Sequence, residues 1–415
     1  MIPYFIVHLK IIRFVESAMF EEIFEEELNR ESVFRDASKL SPDYVPRVLV
    51  HREDEFRQLT RIFRPVIENR MSQRVLIAGS VGVGKTVLAR RFGEELETRA
   101  KGRGLNLTYL HLNCRKDKTP YSVIAKILQH YNPRWPYHGL GPEKLLDDVV
   151  SYMNAHDVYL TLTLDELDYF IQLNGPDLLY TLTRVTEESG APNRISIIAI
   201  ARDKNFLRFL DAATQSTFMH NVLMLDRYTA PQLRDILSQR VGEAFKSGTV
   251  EEDTIDLIAE IASKWGDARF ALELLWRAGM IADGERKNTV IPDHVRQAKA
   301  EVHPEVKREV LRELHPHEKM VLLAIVRKFM ASKRAYVSSD DVEKGYHVVC
   351  EEYHEKPRLY TQFWEYVKRI EGLGLIDLKP PKSRRMGRHF RISLQEVPVS
   401  WLEKELEKLL EGRKT

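Results

Sequence analysis

Gly79-Ser80-Val81-Gly82-Val83-Gly84-Lys85-Thr86 sets two glycines five apart, ahead of a lysine and a hydroxyl. That spacing suits a grip on polyphosphate. Glycines let the backbone curl until successive N–H groups face one phosphate. The expected lining is Ser80, Val81, Gly82, Val83, Gly84, Lys85, Thr86 and Val87. Lys85 would reach the β- and γ-phosphates as a point charge, and Thr86 would offer its hydroxyl to Mg2+. A glycine-rich surface turn with an idle lysine is the other reading. The apolar RVLIAG before the motif and the amphipathic TVLARRFGEELETRA after it argue against that reading. They predict the strand and helix this chemistry requires, and the helix start adds its positive dipole end.

Two further sets carry charge where chemistry would use it. Asp165 and Glu166 close the run YLTLTLD. Asp165 would hold Mg2+, and Glu166 would polarise an attacking water. A helix N-terminus also favours such carboxylates, so the pair gains meaning only beside the first motif. Arg269, in KWGDARFALELL, falls in the first turn of an expected helix. The macrodipole disfavours a cation there, and a γ-phosphate would compensate it.

Near the C-terminus, LKPPKSRRMGRHFRISL holds Lys379, Lys382, Arg384, Arg385, Arg388 and Arg391 and no acid, in a chain of net charge +2. Cations gathered without acids repel one another, which calls for an anion.

The elements that must position these groups follow from hydrophobic pattern. RVLIAG, LTYLHLN, VYLTLTLD, RISIIAIA and NVLMLD alternate with helical stretches. This predicts a parallel five-stranded, doubly wound α/β base. Thr161 and Thr163 alternate with leucines, which fits a half-exposed edge strand or a central one whose hydroxyls bond to backbone. The acidic pair favours the central place. From about Arg227 the strands stop, and TAPQLRDILSQRVGEAF, EEDTIDLIAEIASKWG and DARFALELLWRAGMIADG predict an all-α lid. EVHPEVKREVLRELHPHEK reads as a connector. Three helices and a two-stranded hairpin then predict a winged helix-turn-helix. The expected boundaries are 1–226, 227–303 and 304–415.

In a winged helix the third helix enters the major groove of duplex DNA and the hairpin lies on an adjacent groove or backbone. Thr361, Gln362, Tyr366 and Lys368 of TQFWEYVKRIEGL would reach bases or phosphates. Lys382, Ser383, Arg384, Arg385 and Arg388 form the tip. Trp364 is expected to be buried. Phe390 and Ile392 would anchor the hairpin while Arg391 points out. Ser400 with Glu403 reads as a capping box opening a last helix.

Composition sets limits. A length of 415 residues allows two to four domains. Mixed charge excludes a generally polybasic nucleic-acid coat. Cys114 and Cys350 lack metal-ligand spacing, which fits a reducing cytoplasm. The apolar first twenty residues are interrupted by His8, Lys10, Arg13 and Glu16, so neither a membrane span nor a signal peptide is expected.

The order of P-loop, Asp-Glu pair, apolar strand, lid with Gly266-Asp267-Ala268-Arg269 and winged helix resembles the AAA+ ATPases, specifically the archaeal origin-recognition replication initiators. The likeness covers roughly Phe34 to Ile392 and includes FRDASKLSPDYVPRVLVHREDEFRQL and RYTAPQLRDIL. It implies ATP or ADP held between base and lid, with Val45, Pro46 and Arg47 near adenine and ribose and Tyr228 on the lid side. Arg269 matches the family's sensor-2 arginine. It further implies binding to double-stranded DNA at origin repeats, other initiator subunits, and the replicative helicase as partners. PRWPYHGLG, between the second and third strands, is a further candidate for DNA.

Two positions depart from the family pattern. Arg202 stands where a polar sensor-1 residue is usual; it would contact a γ-phosphate but cannot accept a proton from water. DAATQSTFMH holds no arginine finger, and Arg208 lies just before it. A slow ATPase or a lasting ADP-bound state is therefore expected. A branch-migration motor of the Holliday-junction type and a DNA-binding regulatory ATPase are the alternatives.

Overall fold

The computed structural model describes residues 24–135, 139–184, 192–210, 212–302, 311–312, 314–332, 334–373, 375–379, 390–394 and 399–411. The chain divides into two compact units. One takes Ser41–Gln239 and Ile258–Glu273, the other Met1–Leu40, Arg240–Leu257 and Leu274–Thr415.

The first unit is built on a five-stranded sheet. Its strands are β1 (Arg74–Ala78), β2 (Leu107–Asn113), β3 (Tyr159–Asp165), β4 (Ile195–Ala201) and β5 (Val222–Met224), in spatial order β2-β3-β4-β1-β5. Every pairing is parallel. Parallel strands need crossovers, and the helical stretches supply them. Helix α1 (Glu53–Asn69) precedes β1, and the crossovers are α2 (Lys85–Lys101), α3 (Pro120–Tyr131), α4 (Pro142–Ala155), α5 (Leu167–Asn174), α6 (Asp177–Arg184) and α7 (Ala212–Met219). Apolar cores form on both faces, which is why β1, β3 and β4 read as near-continuous apolar runs.

β3 is flanked on both sides, and Thr161 and Thr163 are buried, so the edge-strand reading is wrong. Their hydroxyls do not turn to backbone as expected. Thr163 Oγ1 lies 3.1 Å from the Tyr109 hydroxyl, and Thr161 Oγ1 is buried without a partner.

The lid sequence forms α8 (Ala230–Ala244), α9 (Glu252–Ser263) and α10 (Ala268–Gly284). A fourth helix, α11 (Pro292–Val302), was not among the three expected; Pro292 supplies its first residue.

The C-terminal region of the second unit is a winged helix: α12 (Pro316–Ser332), β6 (Val337–Ser338), α13 (Ser339–Glu352), α14 (Tyr360–Gly372), β7 (Asp377–Lys379), β8 (Arg391–Ser393) and α15 (Val399–Glu411). The sheet has three strands in the order β6-β8-β7, one more than the hairpin read from sequence. Two residues of β6 are too few to show a period. Leu311 and Leu314, in the stretch read as a connector, are buried in this core.

Four finer expectations need correcting. Phe363, not Trp364, takes the core position of α14; Trp364 is half-buried and packs on Phe390 at a ring separation of 5.0 Å. Phe390 is 38 % exposed because it precedes the paired residues of β8, so Ile392 anchors that strand alone. Arg391 does not point freely outward: it is half-buried, its guanidinium 4.4 Å from the Tyr336 ring centre. Helix α15 starts at Val399, which puts Ser400 inside the first turn and removes its capping role.

Arg296 of α11 is only 2 % exposed and reaches into the winged-helix core. Its Nε donates to Leu394 O at 2.8 Å and its Nη2 to Arg334 O at 3.3 Å, with the guanidinium 4.6 Å from the Phe329 ring centre. Burial lowers its pKa to about 10, partly offset by Asp293. Arg296→Met should destabilise this unit by about 1–3 kcal/mol, because the buried Leu394 carbonyl and the partly buried Arg334 carbonyl lose their donor. Urea unfolding measures it; an unchanged midpoint would mean that water replaces the guanidinium.

Candidate functional site

The loop between β1 and α2 turns through three glycines of positive φ: Gly79 at 156°, Gly82 at 75° and Gly84 at 88°. Side chains there would also collide with neighbours. A Cβ at Gly79 would stand 2.6 Å from Leu225 O, and one at Gly82 1.8 Å from Asp267 Oδ1. Lys85 opens α2 and folds over this loop, its Nζ donating to Gly79 O and Ser80 O at 2.7 Å each. Burial lowers the Lys85 pKa, and the charges of Asp165, Asp168, Arg202 and Arg269 all act on it. Charges that follow β3 and β4 and open α10 are thus all felt by one ammonium.

Thr86 Oγ1 donates to Asp165 Oδ2 at 2.8 Å, and His111 Nε2 lies 3.3 Å from the same oxygen. Burial pushes the Asp165 carboxyl up, but the bonds from His111 and Thr86 outweigh it and hold the pKa below the usual value. Asp165 is therefore an anion at neutral pH, as a cation ligand must be. Ser80 Oγ is buried without a hydrogen-bond partner. This open polar atom, the glycine turn and the Thr86–Asp165 pair fit a nucleotide with its divalent cation.

Glu166 sits at φ 57°, ahead of α5, and its carboxylate is ion-paired with Arg115. The Arg115 guanidinium lies 4.6 Å from the Tyr169 ring centre. The Arg202 side chain is exposed, while its N–H donates to Asp168 Oδ2 at 3.3 Å. Val45 is half-buried, Pro46 buried and Arg47 exposed; Arg91 Nε donates to Arg47 O at 3.1 Å, tying this segment to α2. Val83 is buried, and Val81 is exposed.

Tyr228 is buried beside the loop; a Cβ at Gly84 would stand 2.9 Å from its hydroxyl. Ala268 N donates to Gly82 O at 3.1 Å, so the Asp267–Arg269 turn packs directly on the glycine loop. Arg269 is exposed at the start of α10.

Sequence reasoning missed Arg52, which is 5 % exposed. Its Nη2 donates to Val83 O and to Asp226 O, each at 3.0 Å, its Nη1 meets Glu55 at 2.9 Å, and its guanidinium stacks 4.1 Å from the Tyr228 ring centre. No motif marks it, because its main acceptors are backbone carbonyls. It holds the loop and Tyr228 in one arrangement. Arg52→Met should weaken nucleotide affinity roughly tenfold, the loss of about one charge-assisted hydrogen bond. Calorimetric titration with ADP checks this; unchanged affinity would show that the loop keeps its shape unaided.

In the winged helix, Thr361, Gln362 and Lys368 are exposed on α14. Tyr366 is not free to reach DNA as expected. It follows Phe363 by three residues, on the packed side, and its ring is parallel to those of His317 and His315 at 6.0 and 5.8 Å. His317 fixes the entry to α14. Its Nε2 accepts from Arg358 Nε at 3.1 Å, and the Tyr346 hydroxyl lies 2.8 Å from its Nδ1. Burial, then the Arg358 charge, lowers the His317 pKa. Arg369, itself exposed, pairs with buried Glu318 at 3.2 Å. Lys382, Ser383, Arg384, Arg385 and Arg388 lie outside the described residues, as do 136–138 of PRWPYHGLG. Among the described residues no helix is long and apolar enough to cross a membrane.

Comparison with known proteins covers nearly the whole chain. Residues 48–198 match a model described as AAA ATPase domain, residues 234–300 the Cdc6 AAA+ ATPase-type lid domain, and residues 309–403 the CDC6 C-terminal winged helix domain. An ORC1-type DNA replication protein 2 from Sulfurisphaera tokodaii is 34% identical over 94% of this chain and 95% of its own length. One from Thermococcus onnurineus is 30% identical over 91% of this chain and 92% of its own. Among solved structures, Cdc6p from Pyrobaculum aerophilum is 30% identical with a TM-score of 0.79, covering 92% of this chain and all of that one. The Aeropyrum pernix ORC1 protein in complex with DNA is 31% identical with a TM-score of 0.61, covering 93% of this chain and all of that one.

Proposed function

We propose a function from one premise: the chain belongs to the family of ORC1-type DNA replication proteins, AAA+ ATPases with a Cdc6-type lid and C-terminal winged helix. It is a replication initiator that binds a nucleotide and double-stranded DNA. The observation that carries this reading is the glycine loop itself, with Lys85 folded over it, Thr86 bonded to Asp165 and the Asp267–Arg269 turn packed on Gly82, in a chain whose last third is a winged helix. The DNA complex of the Aeropyrum pernix ORC1 protein supports the second half.

ATP or ADP is the ligand of the base. The loop N–H groups and Lys85 bind the phosphates, Pro46 and Tyr228 border the base and ribose, and Arg269 meets the phosphate end. Mg2+, held by Thr86 and Asp165, would neutralise phosphate charge. Glu166 orients water, with Arg115 restraining its carboxylate. Arg202 contributes charge but no proton acceptor, and 212–220 hold no arginine. Hydrolysis is therefore slow, and the nucleotide acts as a switch rather than as fuel for a motor.

On DNA, Thr361, Gln362 and Lys368 face the major groove while the wing lies on the neighbouring backbone. The protein marks origin repeats and, with other initiator subunits, promotes loading of the replicative helicase. Fluorescence anisotropy on duplex DNA with ATP, ADP or neither tests the switch. Affinity should differ between the two nucleotides; equal affinity in all three conditions would leave a DNA-binding protein whose nucleotide is structural only.

A further inference from the structure

We propose that Leu359 and Tyr360 read thymine methyl groups in the major groove, an inference that rests on the duplex-binding function above and gives it a base preference. Leu359 is 81 % exposed, the highest value among large apolar side chains of the described residues, and Tyr360 is 57 % exposed. The Tyr360 ring touches that of Phe363 at 6.2 Å, and the rest of this apolar surface is left in water among the described residues, where nothing stabilises it. Both residues stand at the entry of α14, with Leu359 as its N-cap. In helix-turn-helix modules it is the N-terminal residues of this helix that contact base edges. The thymine C5-methyl is the one apolar group that base pairs present in that groove.

The pair is held ready rather than loose. Leu359 O accepts from Gln362 N at 2.9 Å and from Phe363 N at 3.0 Å, and Phe363 is buried in the core. The preceding Arg358 is pinned, its N–H donating to the Tyr346 hydroxyl at 3.2 Å and its Nε to His317. Charge complementarity selects DNA as the occupant. From position 355 to 368 three exposed cations, Lys356, Arg358 and Lys368, stand against two exposed acids, Glu355 and Glu365, and the first turn of α14 has no acid. Glu365, exposed a turn further on, suits a base edge, where a carboxylate accepts from cytosine N4, and is repelled by phosphate.

The test selects a tight duplex from a randomised pool using the full chain, then rebuilds it with deoxyuridine for every thymine, which removes the methyls and keeps the pairing. The wild type should bind the thymine duplex roughly four- to sixteenfold more tightly, for one or two buried methyls. Leu359→Ala and Tyr360→Ala should bring that ratio toward one without changing the salt slope, and their exposure predicts unchanged melting temperatures. Equal wild-type affinity for both duplexes, with salt-dependent binding intact, overturns methyl reading alone. A ratio unaffected by either variant also overturns it, and assigns the two side chains to a protein interface. Absence of any salt-dependent duplex binding overturns the underlying DNA function instead.

Discussion

Lys85→Ala is expected to cut nucleotide affinity by roughly a hundredfold or more. The ammonium makes two short bonds to Gly79 O and Ser80 O at the mouth of the loop. In the bound state those donors turn to phosphate oxygens, and each charge-assisted bond contributes about 1.5–3 kcal/mol. Removing two gives a loss of about 3–6 kcal/mol, and no other lysine stands in the loop to replace them. The backbone turn rests on glycine geometry rather than on Lys85, so the variant should keep its fold. Calorimetric titration with ADP and with ATP measures the effect. Tight binding retained by a folded variant would remove the loop from the account.

The second large effect concerns DNA. Arg384→Ala combined with Arg385→Ala should weaken duplex binding roughly a hundredfold near 0.1 M salt. Each phosphate contact releases about one counterion, so the slope of log K against log salt should flatten by about two. The effect should be uniform across sequences, because phosphate contacts position and do not specify. This pattern separates the wing from Leu359 and Tyr360, whose variants should change base preference and leave the slope alone. A slope unchanged by the double substitution would place the tip away from the DNA.

Much of this was legible in the sequence where chemistry dictates spacing. Gly79 to Thr86 could be read because a phosphate grip needs those types in that order. The place of Asp165 at the end of a strand could be read from the apolar run before it, and the structure sets it 2.8 Å from Thr86. Arg52, His111 and Arg115 could not. Their partners are a carbonyl, a carboxylate and a carboxylate at 31, 54 and 51 positions' remove, and no periodicity links such pairs. Helical spacing also failed to rank aromatics. It placed Trp364 inside and Tyr366 outside, whereas Trp364 packs at the rim against Phe390 and Tyr366 lies against His317. Which aromatic faces the core depends on neighbours contributed by Phe390, just before β8, and by His317 of α12, both well removed in sequence. The two-residue β6 and the start of α15 were lost for a simpler reason: short elements and helix ends carry little pattern.

If the nucleotide site governs recognition of replication origins, genome-wide footprinting in the native cell, compared with a map of where new DNA strands begin, should show protected repeats at those start points, diminished in cells that carry only Lys85→Ala. Protection confined to promoters, with none where synthesis begins, would refute that coupling.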